Sequence, residues 1–136
     1  MDWITDDIAI GNHLDARDND LIRRGGFRSL LSLDGSAVGI DRESTSFDDI
    51  SAFKLIDGAG NDPTLFERIL LTLRQLVVDV APVLVQCHAG RSRSVVAVAA
   101  HLMRTRGLTA EEALELVGSR REIALTPGIE ELLDLV

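Results

Sequence analysis

The sequence is poor in cysteine, aromatic residues and lysine. It has one cysteine, no tyrosine, one tryptophan, four phenylalanines and a single lysine, Lys54. One cysteine excludes an internal disulfide, and with only three scattered histidines it does not form a zinc site. The core must therefore consist mainly of Leu, Ile, Val and Ala, and we expect neither a metal nor a cofactor.

Long apolar runs and basic segments are also missing. No stretch approaches the roughly 18 apolar residues that suggest a membrane-spanning helix, and the start "MDWITDDIAIG" lacks the basic-then-apolar order of a signal peptide. The net charge of −8 disfavours nucleic acids and anionic membranes, which require an extended basic surface. We expect a cytoplasmic protein with no integral membrane segment and no nucleic-acid partner, in which local groups must bind any anionic ligand.

The chain length and patterning predict one domain over residues 1–136 and a monomer. No repeat, low-complexity tract or linker interrupts the sequence. The order of elements indicates an α/β fold with a central, mostly parallel sheet flanked by helices. Strands are predicted at 3–10 (strand or hairpin), 27–33, 51–56 and 82–86, and helices at 15–24, 63–79, 94–104, 110–120 and from 126 to the C-terminus.

Local signals determine several of these boundaries. Asp62-Pro63 is a helix start, with Asp as N-cap and Pro at the first helical position. Thr109 and Glu112 form a capping box. The run "PVLVQ" before Cys87 is short and apolar, which is typical of a strand buried on both faces.

The stretch "CHAGRSRS", residues 87–94, joins that strand to the next helix. Ligands bind at this position in open α/β sheets. The unpaired N–H groups at the start of the helix favour an oxyanion, Gly90 permits a tight curl, and the small Ala89 and Ser92 leave room for it.

These residue types suit phosphoryl transfer. Cys87 is favoured as a thiolate by the helix terminus and a nearby guanidinium. Arg93 would bind two phosphate oxygens in a bidentate fork. Attack by sulfur would give a cysteinyl-phosphate, and Ser94 would donate to the sulfur when it leaves.

Such a reaction also needs a carboxylic acid that protonates the leaving oxygen and then activates water. The loop "LIDGAGND" offers Asp57 and Asp62. We favour Asp57, since glycines allow its loop to move and Asp62 already has a structural task as a helix cap.

Residues 87–94 resemble the Cys-x5-Arg-Ser/Thr signature of protein tyrosine phosphatases, in the C-x-A-G-x-S-R-S form of dual-specificity phosphatases. The segment that opens with "ITDDIAIG" and the segment "SRREIALTPGIEELL" are similar to the family's two ends, and Asp57 stands where the family carries its general acid. The resemblance implies a small dual-specificity-type fold, a metal-independent mechanism, and a shallow pocket for phosphotyrosine, phosphoserine and phosphothreonine of proteins.

Two departures leave the substrate open. The family usually has His before the cysteine, where this chain has Gln86, which cannot carry a positive charge, so we expect a less strongly stabilised thiolate. His88 and Arg91 add basic groups to the predicted substrate-binding loop 88–93, as in lipid-directed members. A phospholipid phosphatase acting on phosphoinositides or phosphatidylglycerophosphate, or a weakly active phosphate-binding module, are the alternatives.

The sequence indicates no functional role for four other basic residues. His13 and His101 have no partner that the sequence identifies, and Arg120 and Arg121 are interpreted as a solvated helix end.

Overall fold

The computed structural model describes all residues 1–136, and its five strands form one sheet in the order β1-β2-β5-β3-β4. The β1–β2 pair is antiparallel and the other pairs are parallel, which confirms the predicted mostly parallel sheet. The strands are β1 (Asp2–Trp3), β2 (Ile8–Gly11), β3 (Ser29–Ser32), β4 (Asp49–Ala52) and β5 (Val83–Gln86). The α-helices are α1 (Asn19–Gly25), α2 (Pro63–Asp79), α3 (Arg93–Arg106) and α4 (Ala110–Arg120), and 3₁₀ turns cover Asp15–Arg17, Ser36–Gly39 and Ile129–Leu135.

Strand β5 lies at the centre of the sheet, and all four of its residues are buried. Side chains alternate between the two faces of a strand. Val83 and Val85 therefore belong to the larger hydrophobic cluster, under α2, α3 and α4, while Leu84 belongs to the smaller cluster under α1. Gln86 comes two residues after Leu84 and lies on the same face.

Helix ends follow the local signals closely. Asp62 accepts a hydrogen bond from the backbone N–H of Thr64 at 2.9 Å, and α2 covers the predicted residues 63–79. The predicted capping box of Thr109 and Glu112 is formed at the start of α4. Because α3 is buried over nine consecutive residues, it lies inside the fold as predicted. No helix has the length and apolar composition needed to cross a bilayer.

Three predicted elements differ from the structure. The helix at 15–24 is divided into the Asp15–Arg17 turn and α1, because the Asp18 side chain caps α1 by accepting from the N–H of Leu21. The strand at 51–56 is shifted, since pairing with β3 covers Asp49–Ala52. The C-terminal helix is a 3₁₀ segment beginning at Ile129, after Gly128 with a left-handed φ of 96°.

Candidate active site

The loop of residues 87–92 follows β5 at the centre of the sheet and leads into Arg93, the first residue of α3. Cys87 follows β5 directly and is 2% exposed. Gly90 has a left-handed φ of 68°, and a Cβ there would lie 2.5 Å from the carbonyl oxygen of Gly11. Only glycine therefore allows the loop to curl this closely against the end of β2.

The guanidinium of Arg121 supports this loop from behind. Its Nε donates to the carbonyl of Gly90 at 2.6 Å, and its Nη2 donates to that of Ala89 at 3.2 Å. Nη1 donates to Asp2 at 2.8 Å and to the carbonyl of Ile10 at 3.3 Å. The side chain is 10% exposed. The interpretation of Arg121 as part of a solvated helix end is therefore wrong: it ties the loop to β1 and β2.

His13 supports the loop from the end of β2. Its backbone N–H and its Nδ1 both contact the carbonyl oxygen of His88, at 3.0 and 2.9 Å. The two imidazole rings stack, with centroids 4.2 Å apart and planes 8° from parallel. The sequence offered no signal for this pair, since 75 residues separate its members.

The segment after α4 completes the support. The N–H of Ala124 donates to the carbonyl of Arg91, and the N–H of Thr126 donates to the Ser92 hydroxyl, both at 3.0 Å. The loop is thus held by groups from the end of β2 and from the segment after α4, so its shape is set before any ligand binds.

A cavity of about 340 Å³ opens over this loop. Cys87 and Arg93 line it together with Asp57, which the fold brings from the loop between β4 and α2. Asp62 lies at the start of α2 and does not line the cavity. The other lining residues are His88, Ala89, Arg91, Ser92, Ala124 and Thr126.

Two predicted site residues lie behind the cavity wall. A Cβ on Gly90 would point at Gly11 and Arg121, away from the cavity, and the part of Gly90 in phosphate binding stays a prediction. Ser94 is fully buried in the first turn of α3.

The Asp57 loop is braced by one side chain that the sequence did not single out. The Asn61 amide accepts from the N–H of Ile56 at 2.8 Å and donates to the carbonyls of Ile56 and Gly58 at 2.9 and 3.2 Å. Nη1 of Arg93 donates to the carbonyl of Leu55 at 3.4 Å. Asp57 is exposed at the cavity, between Ile56 and Gly58, whose backbone groups are hydrogen-bonded.

Buried polar atoms without a protein partner are concentrated around Cys87. They are Gln86 Oε1, Arg93 Nε and Ser94 Oγ. Buried polar groups are nearly always hydrogen-bonded, so such groups call for an explanation. Arg93 Nε is a donor that an anion in the cavity would satisfy, and the Ser94 hydroxyl is a donor available close in sequence to the thiol.

Gln86 connects the active-site loop to the 3₁₀ turn that begins at Ser36. Its Nε2 donates to the Ser36 hydroxyl at 3.1 Å and to the carbonyl of Cys87 at 3.0 Å. Burial tends to raise the pKa of Asp34, but hydrogen bonds from Ser36, Gln86 and Ser32 outweigh burial and lower that pKa. Gln86 thus belongs to a network around an ionised carboxylate. Its predicted effect on the thiolate stays a prediction.

Comparisons with known proteins agree with this geometry. The family model "Dual specificity phosphatase, catalytic domain" matches residues 64–133. "Dual specificity protein phosphatase 1B" of Arabidopsis thaliana is 31% identical over 126 residues, which is 89% of this chain and 72% of that protein. "Dual specificity protein phosphatase 22-B" of Danio rerio is 32% identical over 123 residues, covering 87% of this chain and 63% of that protein.

Solved structures show the same fold. Human DUSP28 superimposes with a TM-score of 0.85 at 21% identity, over 98% of this chain and 93% of that chain. A mouse putative dual specificity phosphatase complexed with zinc tungstate gives 0.81 at 25% identity, over 98% and 83%. The matched segment includes the whole loop from Cys87 to Ser94. The chain therefore belongs to the dual specificity phosphatase family and is a cysteine-dependent phosphatase.

Proposed function

We propose that this chain dephosphorylates phosphotyrosine, phosphoserine and phosphothreonine in proteins through a cysteinyl-phosphate intermediate. The observation that carries the proposal is the single cavity onto which Cys87, Arg93 and Asp57 all open. We also propose that residues 1–136 act as one catalytic domain, which is supported by the single sheet that contains all five strands.

In the first step the Cys87 thiolate attacks phosphorus, so that an S–P bond forms as the ester P–O bond breaks. Arg93 binds two phosphate oxygens and offsets their charge, using the Nε that lacks a protein partner. Asp57 enters this step protonated and gives its proton to the leaving oxygen. The products of the step are the free alcohol or phenol and a phosphorylated Cys87.

In the second step water attacks the same phosphorus. Asp57, now a carboxylate, takes the proton from this water as the P–O bond forms and the S–P bond breaks. The Ser94 hydroxyl donates a hydrogen bond to the departing sulfur. Inorganic phosphate leaves, and both Cys87 and Asp57 return to their starting states.

A phospholipid substrate is the second candidate, and the observation that favours it is the basic lining of the cavity mouth. His88 and Arg91 are exposed there. However, Nη2 of Arg91 lies 3.8 Å from the carboxylate of Glu122, and the net charge of −8 opposes an anionic membrane surface. We therefore place phosphoproteins first.

The test compares kcat/KM on phosphotyrosine, phosphoserine and phosphothreonine peptides with kcat/KM on phosphoinositides and phosphatidylglycerophosphate. We expect the peptides to be the better substrates. A preference for either lipid of about tenfold or more would overturn the phosphoprotein assignment while leaving the mechanism intact.

Variants test the roles. Cys87→Ser should abolish turnover but retain phosphate binding, and Arg93→Ala should lose both. Asp57→Asn should lower kcat by about 10²-fold or more, whereas Asp62→Asn is the matched control and should keep the wild-type kcat. Equal losses at both aspartates would refute the assignment of the acid. If wild type turns over no faster than Cys87→Ser on every substrate, the phosphate-binding alternative is correct.

A further inference from the structure

A second cavity, of about 270 Å³, lies away from the active site, at the edge of the sheet where the parallel strands begin. The turn before β2, the last turns of α2 and the last turns of α3 line it. Because α3 starts at the active-site loop and rises about 1.5 Å per residue, its C-terminal end is about 20 Å from its start. None of the residues that line this cavity lines the cavity over Cys87.

His101 on α3 lines this cavity and is 6% exposed. Its ring makes no hydrogen bond to a protein group. Burial, followed by the positive charges of Arg74 and Arg106, lowers its pKa, so the ring is neutral near pH 7. A neutral imidazole has one N–H donor and one acceptor nitrogen. Neither ring nitrogen is among the fully buried polar atoms without a partner, which are Gln86 Oε1, Arg93 Nε and Ser94 Oγ. The ring therefore reaches the cavity with a donor that no protein group uses.

Two guanidinium groups reach the same cavity from different helices, Arg74 from α2 and Arg106 from α3. Neither is within ion-pair distance of a carboxylate, although Arg104 on α3 is paired with Glu67. The only carboxylate in the lining is Asp7. In a chain with 22 acidic and 14 basic residues, two unpaired arginines beside a buried histidine form a local positive site.

A hydroxyl group completes the donor set. Thr5 Oγ1 accepts hydrogen bonds from the backbone N–H groups of Asp7 and Ile8, at 3.2 and 3.1 Å, so its own hydrogen is free to donate. The Thr105 hydroxyl donates to the carbonyl of His101 and contributes only lone pairs.

We propose that this cavity binds a small oxyanion, a phosphate or carboxylate group, between Arg74 and Arg106, with the His101 ring and the Thr5 hydroxyl as further donors. Guanidinium forks match the paired oxygens of both groups. The site is separate from the phosphate pocket over Cys87, and it does not depend on the proposed function.

Anion binding should be linked to protonation of His101. The positive charges of Arg74 and Arg106 disfavour the imidazolium form of His101. A bound anion offsets these charges and therefore raises the pKa of His101. Asp7 is the remaining charged group that faces the cavity, and it repels the anion. The anion should therefore bind more tightly as the pH falls through the range in which His101 titrates.

The experiment follows the His101 ring by NMR, assigned with His101→Gln, while inorganic phosphate or malonate is added to the full chain. Arg93→Ala is used in parallel with wild type, because it removes anion binding at Cys87, and the His88 ring reports that pocket separately. We expect a saturable shift of the His101 signals in both proteins. Saturation by phosphate alone identifies a phosphate site, and saturation by both anions identifies a general oxyanion site.

Substitutions provide the controls. Arg74→Gln and Arg106→Gln should each weaken binding about tenfold, the effect of one charge-assisted hydrogen bond. Asp7→Asn should tighten it, and Arg120→Gln, which removes one exposed positive charge on α4, should leave it unchanged. A shift of His101 that never saturates, an equal loss in Arg120→Gln, or weaker binding in Asp7→Asn would each overturn the proposal.

Discussion

Replacing Arg121 by alanine should damage both stability and catalysis, although the side chain does not line the active-site cavity. The substitution leaves the carbonyls of Gly90, Ala89 and Ile10 without the donor that lies 2.6 to 3.3 Å away. A hydrogen bond to a charged group contributes about 1.5–3 kcal/mol, and such losses do not add fully. The Asp2 carboxylate is 46% exposed, so water replaces its lost partner and the ion pair itself contributes little. We expect the free energy of unfolding to fall by about 2–4 kcal/mol.

The loss of activity should follow from the position of the loop. Without Arg121, the Ala89 and Gly90 carbonyls lose their side-chain donor, and of the hydrogen bonds that tie the loop to the end of β2 only those of His13 to His88 remain. A displacement of about 1 Å at a catalytic group costs on the order of 10²-fold. Urea unfolding gives the stability, and kcat/KM on an aryl phosphate is measured where the variant is still folded. The inhibition constant of inorganic phosphate provides a third readout, which should rise because the loop that cradles the anion is no longer held in shape.

Matched variants separate this role from a general effect of charge. Arg120→Ala removes the adjacent, exposed arginine and should leave all three quantities close to wild type. Arg121→Lys keeps the positive charge but lacks the forked guanidinium, so its losses of stability and activity should be smaller than those of Arg121→Ala but not absent. The reasoning is refuted if Arg121→Ala and Arg120→Ala behave alike, or if Arg121→Ala loses stability while the inhibition constant of phosphate stays unchanged.

Three other predictions follow from single features. Gly90→Ala should lower the free energy of unfolding by about 1–3 kcal/mol and reduce kcat/KM. Gly107 has a similar φ but open space around it, so Gly107→Ala should keep the wild-type kcat/KM. Equal values of kcat/KM for the two variants would contradict the close approach of Gly90 to Gly11. Asp62→Ala removes the N-cap of α2 and should lower the free energy of unfolding by about 1 kcal/mol, with kcat unchanged, in contrast to Asp57→Asn. A large loss of kcat in Asp62→Ala would show that Asp62 is the general acid. Burial and two arginines lower the pKa of His101 in the folded state. As the pH falls below about 6.5, the unfolded chain therefore takes up a proton before the folded protein does. The free energy of unfolding should decrease over this range, until the pH reaches the folded-state pKa. His101→Gln should lack this loss in urea unfolding at a series of pH values, and parallel profiles for the two proteins would contradict it.

Helix boundaries were predictable where a short segment contains its own cap. Asp62 and Pro63 satisfy the first turn of α2, and Thr109 with Glu112 satisfies that of α4, without help from the rest of the chain. The position of β4 was not predictable in this way. Its residues are selected by pairing with β3, which is separated from them by a polar segment, and local composition extended the predicted strand beyond the paired residues.

The same distinction applies to the active site. The sequence by itself determined the chemistry of the loop from Cys87 to Ser94, because the thiol, the glycine and the arginine that the chemistry needs are close together in the chain. Only the tertiary structure decided that Asp57 faces the cavity and that Asp62 does not. It also decided that His13 and Arg121 hold the loop, through contacts that join residues 31 or more positions apart. Such contacts depend on how β2, β5 and the end of α4 pack together, and no local pattern of residues encodes that packing.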